Sequence, residues 1–317
     1  MWKRIILSII FYATILIANA AVTATTCGPG SKDSLSALVA SITKNKKTDL
    51  EKTWAVYDWV STNIEYDYDR QSESLRLNGR ISAIPIDVLL QIKKGVCQDY
   101  ADLTKAMFDV LKIKCEVVTG FLRYDDSDLL EFDSLKNAHA WNIVFIRDHW
   151  LPIDCTWGHA FRRQNKNDSA IFLAPPSEFI FSHYPDSVKL MPADRRLTLD
   201  EFKKLPVVHF ENIKCNVKKI PSVGVIPINS GLFEFENPTA LSIEKIVVEM
   251  EDIETGKFYT PEVKTEKGKN KIIVTLALTR KAFLTFGFNK KLPDGGRELL
   301  PIMTFLVQPV SPSSSAN

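Results

Sequence analysis

Two apolar runs of strand character, residues 140–146 and 150–156, are separated by only Arg147, Asp148 and His149. Runs this rich in β-branched and aromatic residues and this close together read as a β-hairpin. A hairpin also constrains which side chains can meet. If its loop holds an even number of residues, paired positions sum to an odd number, and His139 and Asp154 then share a face. With Ile146 opposite His149, Trp141 faces Asp154, and His139 is the diagonal neighbour, close enough for imidazole to reach carboxylate. An odd loop would break this arrangement.

Upstream, the pattern is helical. Thr48-Asp49-Leu50-Glu51 is a capping box, opening a helix with Trp54, Tyr57 (or Asp58), Val60 and Ile64 at core-facing spacing that ends near residues 66–68. Residues 86–93 read as a short helix that Gly95 breaks with a sharp turn. A second amphipathic helix starts at Cys97, with Tyr100, Leu103, Met107 and Leu111 along its core face. A lone cysteine is commonly an inert buried residue. At a helix N-terminus, however, free N–H groups and the dipole favour a thiolate and can receive an oxyanion. Cys97 is therefore the candidate nucleophile, with His139 as its base. Asp154 would fix the tautomer and orientation of His139, unless it simply bonds to turn backbone. His149 reads as a turn residue; His159, His183 and His209 read as solvated or locally satisfied. Tyr66 and Trp141 read as core aromatics, with a place in the cleft wall as the alternative.

Residues 115–121 form a further strand, and Thr198-Leu199-Asp200-Glu201 is a second capping box whose helix Pro206 ends. After about residue 212 the texture changes to short strands over 231–236, 243–250, 257–259, 271–278, 282–289 and 299–307, separated by Gly, Pro and Asn turns. That spacing without helices suggests a β-sandwich of immunoglobulin size.

Met1 to Ala20 carries Lys3 and Arg4, a 14-residue run diluted only by Ser8, Tyr12 and Thr14, and the small-x-small stretch Ala18-Asn19-Ala20. This is the pattern of a signal peptide cleaved after Ala20, with Ala24 as a second site. The alternative is an uncleaved anchor, for which the run is short against a ~30 Å hydrocarbon core. The expected organisation is a signal peptide over 1–20, a leader over 21–33, an α+β domain over 34–211, a β-sandwich over 212–309 and a tail over 310–317. The chain holds 40 Lys and Arg against 38 Asp and Glu, and the excess of two lies in the signal segment. The remainder is formally neutral, which excludes a basic nucleic-acid footprint. No Cys-x-x-Cys or His-x-x-x-His pair suggests zinc, and no metal or cofactor is expected. Asn167-Asp168-Ser169 is a glycosylation sequon of use only in a eukaryotic secretory route. With Cys97 reduced, Cys27, Cys115, Cys155 and Cys215 allow three pairings, of which Cys27 with Cys215 is preferred. Strand alternation points Cys155 away from the Asp154 face.

Three blocks, Gly95-Val96-Cys97-Gln98-Asp99-Tyr100-Ala101, His139-Ala140-Trp141-Asn142 and Trp150-Leu151-Pro152-Ile153-Asp154-Cys155-Thr156-Trp157-Gly158, resemble the transglutaminase-like cysteine enzyme superfamily in kind and order. Phe172-Leu173-Ala174-Pro175-Pro176-Ser177-Glu178-Phe179-Ile180-Phe181-Ser182-His183-Tyr184-Pro185 is similar to its kyphoscoliosis peptidase-like branch. The resemblance spans roughly residues 35–210. It implies a papain-like α+β core followed by an immunoglobulin-like β-sandwich, a thioester intermediate, no metal, and a protein or peptide amide as substrate. Members of that branch include cytoskeletal, intracellular proteins, whereas this chain reads as exported, so their partners do not carry over and the sandwich's partner is open. An exported cysteine peptidase using Cys97, His139 and Asp154 is the expectation. A cross-linking transamidase, and a binding or scaffold protein with a vestigial triad, stay open beside it. A small-molecule acyltransferase would need an acyl-carrier pocket that no residues suggest.

Overall fold

The computed structural model describes residues 31–191, 196–210, 224–227, 232–236, 246–266, 271–275, 281–293 and 295–308. The signal segment, Cys27, Cys215 and the tail lie outside them. Among the described residues no helix is long and apolar enough to cross a membrane.

Helix α1 (Ser31–Thr43) precedes α2 (Asp49–Asn63), whose start is the expected capping box: Thr48 Oγ1 accepts from the Glu51 N–H, and the Glu51 carboxylate accepts from the Thr48 N–H. Tyr57, Val60 and Ile64 are fully buried, whereas Trp54 lies at the edge of the core against Phe172. The chain then makes a two-residue strand β1 (Glu65–Tyr66) and a helix that the sequence did not suggest, α3 (Tyr68–Arg76), capped by Asp67. Its apolar content is too low to show a core-facing stripe, and it buries no residue. Next come α4 (Ile86–Ile92), β2 (Lys94–Gly95), which runs parallel to β1, and α5 (Cys97–Leu111).

Four antiparallel strands follow one another across a sheet in the order β5-β4-β3-β6: β3 (Cys115–Leu122), β4 (Ala138–Ile146), β5 (His149–Ile153) and β6 (His183–Pro185). The β4–β5 hairpin turns on the two residues Arg147 and Asp148, at φ 51° and 64°, with Ile146 opposite His149. Two successive positive φ values are those of a type I′ turn, whose twist matches the flanking strands. Helix α5 packs on one face of the sheet, where Leu103, Met107, Phe108, Val144 and Ile153 share a core with α2, and Asn142 Nδ2 donates to the Ala101 carbonyl. Trp141 and Val118 pack on the other face against Phe179.

The second strand of the hairpin is shorter than expected. It stops at Ile153, and residues 155–156 instead open helix α6 (Cys155–Arg163), with Asp154 as its N-cap. The Asp154 side chain accepts from the Trp157 N–H at 2.9 Å, and satisfying a first-turn donor favours the helix over strand extension. Helix α6 lies against α2 at Gly158, where an added Cβ would come within 2.5 Å of Tyr57 Oη and 2.6 Å of Ser61 Oγ.

The chain continues through α7 (Pro176–Phe179) and β6 to α8 (Leu199–Lys203), opened by the capping box at Thr198 and Glu201. Then come β7 (Val207–Val208), β8 (Val225–Pro227), β9 (Leu232–Glu236), β10 (Ile246–Asp252), β11 (Phe258–Tyr259), β12 (Glu262–Glu266), β13 (Lys271–Thr275), β14 (Ala282–Lys291) and β15 (Arg297–Gln308). They form two sheets, β11-β10-β14-β15-β7 with β8 also paired to β15, and β12-β13-β9. Ile180, Phe181, Phe202, Leu205 and Val208 share one hydrophobic cluster with Leu284, Phe286, Met303 and Phe305. Each such side chain contributes roughly 1.5–3 kcal/mol of burial. Buried Arg123 ties the end of α8 and the segment after it to the end of β3 by donating to the carbonyls of Phe202, Leu205 and Pro206.

The close approach at Gly158 gives a direct check on the α2–α6 contact. Gly158→Ala is expected to destabilise the protein by about 1–3 kcal/mol in urea unfolding, because neither Tyr57, bonded to the Asp168 carbonyl, nor buried Ser61 can yield without loss.

Candidate active site

Cys97 is the first residue of α5 and is half-buried, and its position is set by Asp99 two residues on. Asp99 is buried; it accepts from the Val96 N–H at 2.9 Å and from the Ile84 N–H at 3.0 Å, and Arg70 stands 3.6 Å away. Gly95 matters here for a different reason than the sequence suggested. Its backbone is not in the left-handed region; Lys93, at φ 51°, makes the reversal. Gly95 instead leaves room for Asp99, whose Cβ would be 2.8 Å from an added glycine Cβ.

His139 lies at the start of β4 and Asp154 just past the end of β5. The hairpin register brings them together: His139 Nε2 is 2.7 Å from Asp154 Oδ2, with both side chains buried. Burial alone would pull the His139 imidazole down. The charge of Asp154, its hydrogen bond and then the side chain of Cys97 outweigh burial and raise the group to about 10. Burial would likewise push Asp154 up, but His139, followed by His183, holds it well below the usual carboxylate range.

His183, read from sequence as solvated or locally satisfied, is not solvated, and only one of its two polar partners is local. It is fully buried in β6, with Nε2 3.1 Å from the same Asp154 Oδ2 and Nδ1 2.7 Å from Ser182 Oγ. Its ring stacks on Phe179 with centroids 3.7 Å apart and meets Trp157 and Trp141 edge-on. Burial lowers its pKa to about 4, against a partial opposing effect of Asp154. Strand β6 reaches this position because Gly120 of β3 has no side chain: a Cβ there would be 2.0 Å from the Tyr184 carbonyl oxygen. No local pattern marks His183, since its partner lies 29 residues away and its strand is three residues long.

His139, Asp154 and His183 are also the one group of potential metal ligands found among the described residues. Each ring nitrogen already lies at hydrogen-bond distance from Oδ2, so this set is joined by shared protons as it stands. His159 is buried as well, with Nδ1 3.1 Å from the Ser61 carbonyl. Cys155 is helical, not extended as the strand reading had it, but it does face away from the site: it accepts from Thr104 Oγ1, and burial pushes its thiol up to about 12. Cys115 is pushed up to about 12 by the same cause, and both are free thiols, which removes them from the candidate disulfide pairings.

A cavity of about 650 Å³ opens beside His139, walled by Tyr66, Tyr68, Tyr124, Trp157 and Phe161. Tyr66 thus takes the cleft-wall alternative, whereas Trp141 is buried in a core with Val118, Ala174 and Phe179. Tyr66 and Tyr124 of that wall are kept protonated first by burial and then by the side chain of Cys97.

Residues 36–155 match the family model of the transglutaminase-like superfamily, so this part of the chain is a transglutaminase-like domain. Kyphoscoliosis peptidase from Mus musculus is 29% identical over 162 residues, 49% of this chain and 24% of that protein. Hillarin from Drosophila melanogaster is 25% identical over 194 residues, 54% of this chain and 22% of that protein. The family match and these relatives support the kyphoscoliosis peptidase-like branch. The chain spans about a quarter of the length of these relatives. Among solved structures, the periplasmic domain of TgpA from Pseudomonas aeruginosa is 15% identical, with 44% of this chain and 47% of that chain covered and a TM-score of 0.32.

The charge state of the buried cluster sets a pH window for stability. His139, raised in the fold, contributes stability that is fully present below its unfolded value near 6.5 and is lost as pH rises through about 10. His183, lowered, and Asp154, depressed, both cost stability as the solution turns acid, His183 between about 6.5 and 4. Melting temperature is therefore expected to peak near pH 6.5 and to fall on both sides, toward pH 4 and toward pH 10. Asp154→Asn should lower stability at pH 7 by about 3–5 kcal/mol and abolish the alkaline decline near pH 10.

Proposed function

We propose that the protein is an exported thiol amidase, a peptidase acting on protein or peptide amides, in which Cys97 is the nucleophile. The observation that carries this reading is the buried 2.7 Å contact between His139 Nε2 and Asp154 Oδ2. It commits Nε2 to the carboxylate, leaves Nδ1 as the nitrogen that exchanges a proton with the thiol, and keeps the imidazolium beside Cys97 favourable.

The chemistry follows from those roles. The proton of Cys97 passes to His139 Nδ1, and the thiolate attacks the amide carbon. Cys97 is the first residue of α5, so its own N–H has no intrahelical acceptor and can donate to the oxyanion. As the C–N bond breaks, His139 returns its proton to the departing amine and a thioester remains. His139 then removes a proton from water, hydroxide displaces the thiolate, and the acid leaves. The aromatic cavity wall offers apolar surface for the side chains of an extended peptide. The peptidase name of the mouse relative agrees with this reading. The chain over 212–309 is read as an immunoglobulin-like sandwich, and recruitment of a surface partner by it belongs to the binding or scaffold alternative. A lysine amine in place of water would make the same site a transamidase.

Iodoacetamide at neutral pH tests the nucleophile. Cys97 is expected to label selectively and at least tenfold faster in the wild type than in His139→Ala, while Cys115 and Cys155 stay unlabelled in the folded protein. Labelling no faster than an ordinary thiol, or a Cys97 held in a disulfide, would refute the catalytic reading. Casein with a tagged amine then separates the two reactions: new peptide ends are expected, and incorporation of the tag in their place would assign transamidation.

A further inference from the structure

We propose that His183 is a positioning residue for the Cys97–His139 pair: a neutral imidazole that donates from Nε2 to Asp154 Oδ2 and thereby locks the carboxylate that orients His139. The proposal rests on the catalytic reading of Cys97, His139 and Asp154.

Asp154 is held from three elements at once. Oδ2 meets His139 Nε2 of β4 at 2.7 Å and His183 Nε2 of β6 at 3.1 Å, while Oδ1 accepts from the Trp157 N–H of α6 at 2.9 Å. The carboxylate cannot turn about its side-chain axis without breaking at least one of these. An ionised carboxylate only accepts, so both rings must present an N–H to it. One carboxylate cannot compensate two imidazolium ions in a site closed to water. The environments decide which ring carries the charge. His139 lies beside Cys97, which becomes anionic when it gives up its proton, whereas His183 lies flat on Phe179 and against the edges of Trp157 and Trp141. His183 is thus the neutral ring.

Ser182 sets its tautomer. With Nε2 carrying the proton, Nδ1 of His183 is an acceptor, and Ser182 Oγ stands 2.7 Å from it, closer than the 3.2 Å to its other neighbour, the Phe179 carbonyl. A hydroxyl has one proton, and the shorter contact directs it to Nδ1. The chain of donors therefore runs from Ser182 Oγ to His183, from His183 Nε2 to Asp154, and ends on the oxygen that His139 also meets. The other ionisable groups that bear on this cluster are Cys97 and Tyr100 of α5, Cys155 of α6, Tyr57 of α2 and Tyr124 after β3. Burial keeps the three tyrosines and Cys155 uncharged below pH 9, so in the range tested the pH response belongs to Cys97, His139, Asp154 and His183.

Two variants of the full chain test this, with the rate of Cys97 alkylation by iodoacetamide followed from pH 5 to 8. His183→Phe keeps a ring in the slot on Phe179 and removes both hydrogen bonds. Alkylation is expected to slow by about 10- to 100-fold, the usual effect of one lost hydrogen bond to a charged group, and the acid edge of the profile should move to higher pH. His183→Gln places an amide N–H near the position of Nε2 and should recover part of the rate and return the edge toward that of the wild type. A His183→Phe protein with wild-type rate and edge overturns the proposal. So does a folded His183→Gln protein as impaired as His183→Phe, since the loss would then follow ring shape alone. Side-chain ¹⁵N spectra of the unmutated protein decide the point if the variants do not fold. His183 is expected as the neutral Nε2–H tautomer from pH 5.5 to 8, and an imidazolium or an Nδ1–H tautomer there overturns the proposal. If Cys97 of the wild type reacts no faster than an ordinary thiol, the catalytic reading fails instead, and the spectra still report whether His183 holds Asp154.

Discussion

The Asp154 carboxylate is the point at which three parts of the chain are joined. Placing an ion where no water reaches it costs several kcal/mol unless its oxygens are fully engaged. Here the engagement is by a helix-end N–H and two imidazoles, each hydrogen bond to the charge being worth about 1.5–3 kcal/mol. The same side chain therefore ends β5, starts α6, fixes the ring of His139 and fastens β6 to the sheet. None of these could be rearranged alone, because each would leave a buried charge without a partner.

The surrounding fold serves that constraint with small residues and local caps. Gly120 lets β6 lie against β3, Gly158 lets α6 lie on α2, and Gly95 admits Asp99, which anchors the first turn of α5. The three described thiols are separated by environment. Cys115 and Cys155 sit in the apolar core with ionisation pushed up by burial, and Cys97 alone is half-exposed at a helix start. The division is physical: a thiol deep in an apolar core gains nothing from ionising, whereas one at a helix start has N–H groups to receive the charge.

Local chemistry was legible in the sequence and long-range chemistry was not. Both capping boxes, at Thr48 and Thr198, and the helix from Cys97 to Leu111 follow from contacts within a few residues, and they stand where the pattern put them. The hairpin parity argument brought His139 to Asp154 correctly because a two-residue turn fixes register without help from the rest of the chain. The strand reading of residues 154–156 failed where two local signals competed. Alternation favoured extension, but an Asp with free N–H groups three residues on favoured a helix cap, and the cap prevailed. His183, though it stands in the Phe172–Pro185 block, had no readable role for a different reason: its meaning depends on a three-residue strand docking beside β3, which only tertiary structure supplies. The resemblance carried by the Cys97, His139 and Asp154 blocks agreed with the transglutaminase-like match, yet it said nothing of this second histidine.

If Asp154 holds a protonated His139 against Cys97, the charge on that ring is the quantity to measure. Side-chain ¹⁵N spectra of the histidine-labelled protein, with His139 assigned by its loss in a His139→Gln variant, report it directly as pH is raised. The account predicts an imidazolium at pH 7.5 that loses its proton only near pH 10. A His139 that is already neutral at pH 7.5, titrating near 6.5 like a histidine in water, would contradict it.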